Sequence, residues 1–329
     1  MAPPAFVLKR SSALVAPLCS CAAALALSVP ARADEGGVPF WISGQYASLA
    51  AVPATPGWSL PMQGYFYSGD AAASKSFPRG DSVATGLSSG MPLALFQPTY
   101  APETKVLRGQ LAFGVAFGFG RNTTDADVSL SPRGTEVGRS DAVPGFTDLY
   151  PIASLAWTSG VYNWMTYVTG DIPVGAYDSK RLANIGIGHG AIDAGGGYTY
   201  LNQQNGREFS AVLGFTYNFE NPDAQYKNGI DSHLDWAASQ FLSANWQVGV
   251  AGYVYYQLTG DSGAGAKLGP FKSRVASIGP QVGYLFELGG RPAYLNLRGY
   301  WEFWAQNRLE GYAIFATLSI PLGGGPSKR

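Results

Sequence analysis

From Glu208 to Phe219 every second residue presents one face of an extended chain, and this period of two recurs through much of the sequence. Phe209, Ala211, Leu213, Phe215, Tyr217 and Phe219 make an apolar face, opposed by Glu208, Ser210, Val212, Gly214, Thr216 and Asn218. A strand sends successive side chains to opposite sides. A helix would need apolar residues three and four apart, a spacing these stretches lack. Trp246–Leu258 and Leu309–Leu322 alternate in the same way. In Ala293–Trp304, Leu295, Leu297, Gly299, Trp301 and Phe303 oppose Tyr294, Asn296, Arg298, Tyr300, Glu302 and Trp304.

The length of these stretches narrows the fold. Several run for about 12 to 16 residues, against a usual strand of about five or six in globular proteins. A soluble sandwich or lipocalin-like barrel would also alternate. The apolar faces here, however, carry Trp246, Tyr256, Trp301 and Phe303 near their ends, where the two interfaces of a membrane barrel place aromatic girdles. Turn signals such as Ser159-Gly160, Gln204-Asn205-Gly206 and Gly289-Gly290 separate the stretches, while 178–189 and 260–270 are longer connections expected on the opposite rim. The expected fold is an all-β, transmembrane antiparallel β-barrel of the outer-membrane type. About fourteen strands are counted, opening with 40–51 and including separate strands at 104–120 and 124–137; twelve also fits.

Composition agrees. Only 13% of the 329 residues are charged, about half the usual share for a soluble domain, while 43 are glycine and 19 Tyr, 17 Phe and 8 Trp supply the aromatics. Lys9 and Arg10, the apolar run Ala13–Val29 and Ala31-Arg32-Ala33 read as a secretory signal, so residues 1–33 are expected to be removed and 34–329 to form the barrel domain. Both cysteines, Cys19 and Cys21, lie in that segment. The mature chain would then hold no disulfide and no thiol nucleophile; lipidation at Cys21 is the less favoured alternative. Cleavage takes Lys9, Arg10 and Arg32 from 22 basic residues against 22 acidic ones, leaving a slight acidic excess. No clustered Lys and Arg remain to bind nucleic acid.

Chemistry-bearing constellations are few. Asp231, His233 and Asp235 share a strand face and would suit a cation or a proton relay, but the favoured reading is a polar lumen wall beside water. Ser232 points away from His233, so no Ser–His dyad forms, and the segment 263–267 lacks the phosphate-loop spacing. No enzyme activity, metal or other cofactor is expected. The inward face is more informative. Arg298 and Glu302 belong to the lumen, because a charge in hydrocarbon costs about 2–4 kcal/mol at the midplane. With Tyr253, Tyr255, Tyr294, Tyr300 and Trp304, and with Asp231, His233 and Asp235, they are the expected lumen lining. The aromatics either step a ligand through or merely fill space.

The segments Trp41-Ile-Ser-Gly-Gln-Tyr-Ala-Ser-Leu-Ala-Ala-Val-Pro53, Pro56-Gly57-Trp58, Gly145-Phe-Thr-Asp148, Gly170-Asp-Ile-Pro-Val-Gly-Ala-Tyr177 and Leu318-Ser-Ile-Pro-Leu322 resemble a family of outer-membrane proteins named for the phenol meta-cleavage (MetA) degradation pathway. Thr147 stands where the family has glycine, and the chain runs past Leu322 rather than ending on an aromatic residue. The resemblance implies an outer-membrane channel that admits small hydrophobic or aromatic compounds. Its partners would be outer-membrane lipid, the barrel-assembly machinery and that ligand. A general porin for polar solutes and a structural barrel without transport are the alternatives.

Overall fold

The computed structural model describes residues 39–71, 76–79, 82–129, 136–266 and 269–323. The expected signal segment and the last six residues lie outside them. The described elements are fifteen strands: β1 (Gly57–Asp70), β2 (Ser76–Arg79), β3 (Ser82–Phe96), β4 (Thr99–Ala101), β5 (Gln110–Ser129), β6 (Glu136–Phe146), β7 (Tyr150–Ser159), β8 (Tyr162–Asp171), β9 (Ala191–Asn202), β10 (Arg207–Asn218), β11 (Asp231–Phe241), β12 (Trp246–Gln257), β13 (Arg274–Leu288), β14 (Arg291–Gln306) and β15 (Glu310–Gly323). Each pairs antiparallel with its neighbours, and β1 pairs with β15 from Trp58↔Gly323 to Asp70↔Glu310, so the sheet closes on itself. Closure leaves no unpaired edge, which a hydrocarbon environment demands.

The closed wall has twelve strands. Strand β4 continues β3 past Gln97-Pro98, β7 continues β6, and β2 pairs with the outer part of β3. The count of fourteen is thereby corrected, for two reasons. Residues 104–120 and 124–137 are not two strands, since β5 runs unbroken through 110–129 with β6 and β7 as one return path. Residues 40–51 are not a strand at all but a turn-rich segment inside the barrel. Their small and polar side chains pass for a lumen face, and only the hydrogen bonds of this segment reveal that it pairs with no strand.

Alternation positions everything else. In β10, outward Phe209, Leu213, Phe215 and Tyr217 are exposed, while Glu208, Ser210, Val212, Thr216 and Asn218 point inward and are buried. Short turns at 160–161, 203–206, 242–245 and 289–290 share one rim with the barrel's two chain ends; 172–190, 219–230 and 258–273 connect strands at the other. Short turns face the periplasm and longer loops the exterior in outer-membrane barrels. Outward aromatics mark both levels, with Trp58, Tyr100 and Phe113 packed together near the short-turn rim and Phe66 against Tyr312 near the other.

Candidate functional site

A barrel of about eight strands is filled by its own side chains, whereas one of about sixteen leaves a water channel. Twelve strands fall between, so the lumen is too wide for side chains alone. The chain fills the gap with its own backbone. Residues 39–56 enter the lumen before β1 begins, and an irregular segment inside a barrel must find partners for every peptide group. The wall provides them. Asp235 accepts from Gly44 N at 2.8 Å, Tyr46 N at 3.2 Å and Trp41 Nε1 at 3.3 Å. Glu208 accepts from Leu49 N at 3.0 Å and Ser48 Oγ at 2.7 Å. Ser210 and Thr199 accept from Ala50 N and Ala51 N. On the acceptor side, Arg298 donates to Gly44 O at 3.1 Å and Gln45 O at 2.9 Å, and Tyr300 donates to Gly44 O. Two buried carboxylates and a guanidinium thus clamp one short peptide stretch.

Gly44 sits at the centre of the clamp with φ of +84°, a left-handed conformation that glycine adopts freely. A Cβ there would come within 2.8 Å of both the Tyr253 and the Tyr300 rings. Gly44→Val should therefore dislodge the segment while leaving strand pairing untouched. The expected result is a pore that opens far more often in a planar bilayer, with unchanged β-sheet circular dichroism. A variant as closed as the parent would show that the rings give way.

The expected lumen residues divide into three groups. Asp235, Arg298 and Tyr300 hold the inserted segment, as above. Tyr253 donates to Glu302 Oε1 at 2.8 Å, and Glu302 also accepts from Tyr67 and Gly311 N, which ties β1, β12, β14 and β15 together. Tyr255 lies under the Arg308 guanidinium, and Asp231 accepts from Asn218 at 2.8 Å. His233 Nε2 lies 3.0 Å from Asp193 Oδ2, and its ring stacks under Trp41 with centroids 3.6 Å apart. Asp231, His233 and Asp235 therefore serve three different partners and do not converge on one point. Trp304 corrects the expectation. A register shift between Arg274 and Ala276 in the β13–β14 pairing, with φ of +63° at Trp304, breaks alternation there. Its ring turns outward, half exposed, beside Tyr256 and under the Arg274 guanidinium.

Between the inserted segment and the short-turn rim lies a cavity of about 1830 Å³. Its deep lining includes Phe40, Trp41, Ile42, Tyr46, Leu95, Tyr150, Ile152 and Met165, with Gln45, Gln63, Asn296 and Thr317 as polar points. Of the ten expected residues only Tyr294 and Arg298 reach it; Tyr253, Tyr255 and Tyr300 are packed behind the inserted segment. The inserted segment, expected from the sequence to be a wall strand at 40–51, supplies many of the residues of the site. Its signal was present in Gly44 and in the prolines at 53 and 56, which suit turns better than a strand.

The other end is narrowed by 172–190. Asp148, at the junction of β6 and β7, accepts from Gly175 N at 2.7 Å and Ile187 N at 2.8 Å. A Cβ at Gly175 would press on the backbone at Asp148, so glycine allows this close approach. Leu182, Ala183, Ile185 and Ile187 are buried as a result. His189 ends the loop, 3.3 Å from Asn228, and burial brings its pKa down to about 4, so it is neutral at ordinary pH.

A family model described as "Putative MetA-pathway of phenol degradation" matches residues 72–318. Among solved structures the chain is similar to an outer membrane channel from Pseudomonas putida F1, with a TM-score of 0.62 at 11% identity over 81% of this chain and 96% of that one. At that identity the likeness bears on the fold alone. A translocator domain of the autotransporter NalP from Neisseria meningitidis gives a TM-score of 0.43 at 12% identity, covering 83% and 91% of the two chains. No curated protein matches the sequence.

Proposed function

The chain belongs to the family of the MetA pathway of phenol degradation, and from that premise we propose that it is an outer-membrane channel for passive entry of small hydrophobic or aromatic compounds. The observation that carries this reading is the aromatic-lined cavity held in the lumen by the inserted segment. Pockets for small ligands are concave and largely apolar, with a few fixed polar groups. This cavity carries more apolar than polar surface, and its charged lining residues are Arg298, Arg291 and Glu103. A general porin for polar solutes would need a hydrophilic passage instead. Movement between the two rims requires the inserted segment to shift, because its backbone crosses the lumen. Outer-membrane lipid around the aromatic girdles and the barrel-assembly machinery are the partners such a protein needs.

One observation favours a structural barrel without transport, namely that charged groups hold the inserted segment so fully. A ligand-binding measurement separates the two. Phenol titrated into the refolded protein should quench tryptophan emission saturably, and Trp41→Phe, which keeps an aromatic ring on the cavity wall, should remove most of the quenching. Emission that phenol leaves unchanged would favour the structural barrel.

A further inference from the structure

The Arg298 guanidinium is only 3% exposed and lines the cavity. Every group it bonds is neutral. Nε donates to Gly44 O, Nη2 to Gln45 O at 2.9 Å, and Nη1 to Asn296 Oδ1 and Thr317 Oγ1, both at 2.9 Å; its face lies over Phe315 at 4.5 Å. Among the described residues no carboxylate stands within ion-pair distance of it. Asp235, Glu208 and Glu302, the acids on neighbouring parts of the lumen wall, are occupied by other donors. Four of its N–H donors go to these groups and Tyr300 Oη also accepts from it, so what stays uncompensated is a full positive charge.

A buried charge without a counter-charge is costly and attracts an anion wherever one can reach it. The cavity gives access, and its other charged lining residues are Arg291, at the start of β14, and Glu103, after β4. The rest of the lining is mainly apolar or neutral, supplied by Ile42, Tyr46, Leu95, Tyr150 and Ile152 among others. A simple inorganic anion would gain the charge but leave that apolar surface bare. A neutral ring would do the reverse.

We propose that the cavity is a binding site for aromatic monocarboxylates, compounds of the benzoate type, with the carboxylate drawn to the positive charge of Arg298 and the ring against the apolar lining. This rests on the channel reading above and names its substrate class. Binding is non-covalent and leaves the compound unchanged.

The test compares benzoate, benzyl alcohol and acetate for binding to the refolded full-length barrel, read by equilibrium dialysis. Benzyl alcohol keeps the ring without the charge, and acetate keeps the charge without the ring. Benzoate should bind at least about tenfold more tightly than either, as an opposite charge in a desolvated site provides. Arg298→Gln should abolish its advantage over benzyl alcohol, and Arg298→Lys should retain part of it. Because Arg298 also holds Gly44 and Gln45, the effect is read as the ratio of benzoate to benzyl alcohol binding within each variant, and heat-modifiable gel migration certifies an intact barrel. Equal binding of benzoate and benzyl alcohol would overturn the carboxylate site while leaving the aromatic channel standing. Acetate binding as tightly as benzoate would reduce the site to a bare anion site and overturn the aromatic part. If neither ring compound binds, the channel reading falls together with this one.

Discussion

A variant lacking residues 39–51 is expected to conduct several-fold more current through a planar bilayer than the intact protein, and to lose its closed state. The twelve-stranded wall closes through β1 and β15 without help from those residues, since the pairing begins at Trp58. What they supply is the backbone that crosses the lumen and the side chains that fill it, notably Trp41 between His233 and Tyr167. Removing them leaves a wall lined by Asp235, Glu208, Thr199, Ser210 and Arg298, all polar and able to take water in place of peptide groups. The variant should therefore fold, at some loss of thermal stability. A deletion that folds but conducts no better than the parent would mean that 172–190 alone closes the pore.

Asp235→Ala should open the pore nearly as well through one side chain. Three donors of the inserted segment end on this carboxylate: Gly44 N, Tyr46 N and the Trp41 indole. Losing a buried acceptor strands each donor at about 1–3 kcal/mol. In the closed state the stranded donors cannot reach water; in the open state they can. The substitution therefore weighs on the closed state and spares the barrel, whose β11 pairing through Asp235↔Tyr253 is made by backbone. Asp235→Asn, which keeps one carbonyl oxygen, should fall between. Single-channel recording should show longer open times in that order, and equal dwell times across all three proteins would place the clamp elsewhere.

The wall was legible in the sequence because membrane and lumen impose opposite demands on alternate residues. Leu295, Leu297, Trp301 and Phe303 could only face lipid, and Arg298 and Glu302 could only face the lumen; the structure places all six so. Alternation breaks down where pairing does. Trp304 follows a bulge, and nothing in the local pattern signals it. The inserted segment was hidden for a different reason. Trp41, Tyr46 and Ser48 look like a strand in a short window, and their partners Asp235, Glu208 and Gln281 lie about 160 to 230 residues away in the chain. The quoted family segments gain meaning only in three dimensions. The first, 41–53, is the inserted segment itself. The segments around Asp148 and Gly175 meet to fold 172–190 inward. Both ends of the lumen are thus governed by short stretches that periodicity cannot interpret.

The lumen tyrosines show the same limit. Tyr253, Tyr255 and Tyr300 have the type and direction expected of a ligand path, yet the inserted segment packs on Tyr253 and Tyr300, Arg308 lies over Tyr255, and the open cavity is lined by Phe40, Tyr46 and Tyr150. Residue type and strand parity give direction, but not what already occupies the space in front of a side chain.

The function proposed for this barrel is passage of small aromatic compounds rather than polar solutes. Uptake of phenol and benzoate, beside a sugar of similar size, into proteoliposomes holding the refolded protein tests it most directly. Aromatic solutes entering faster than into protein-free liposomes, with sugar entry unchanged, is the result expected here. Sugar entering as fast as the aromatics, or no protein-dependent entry of any solute, would contradict it.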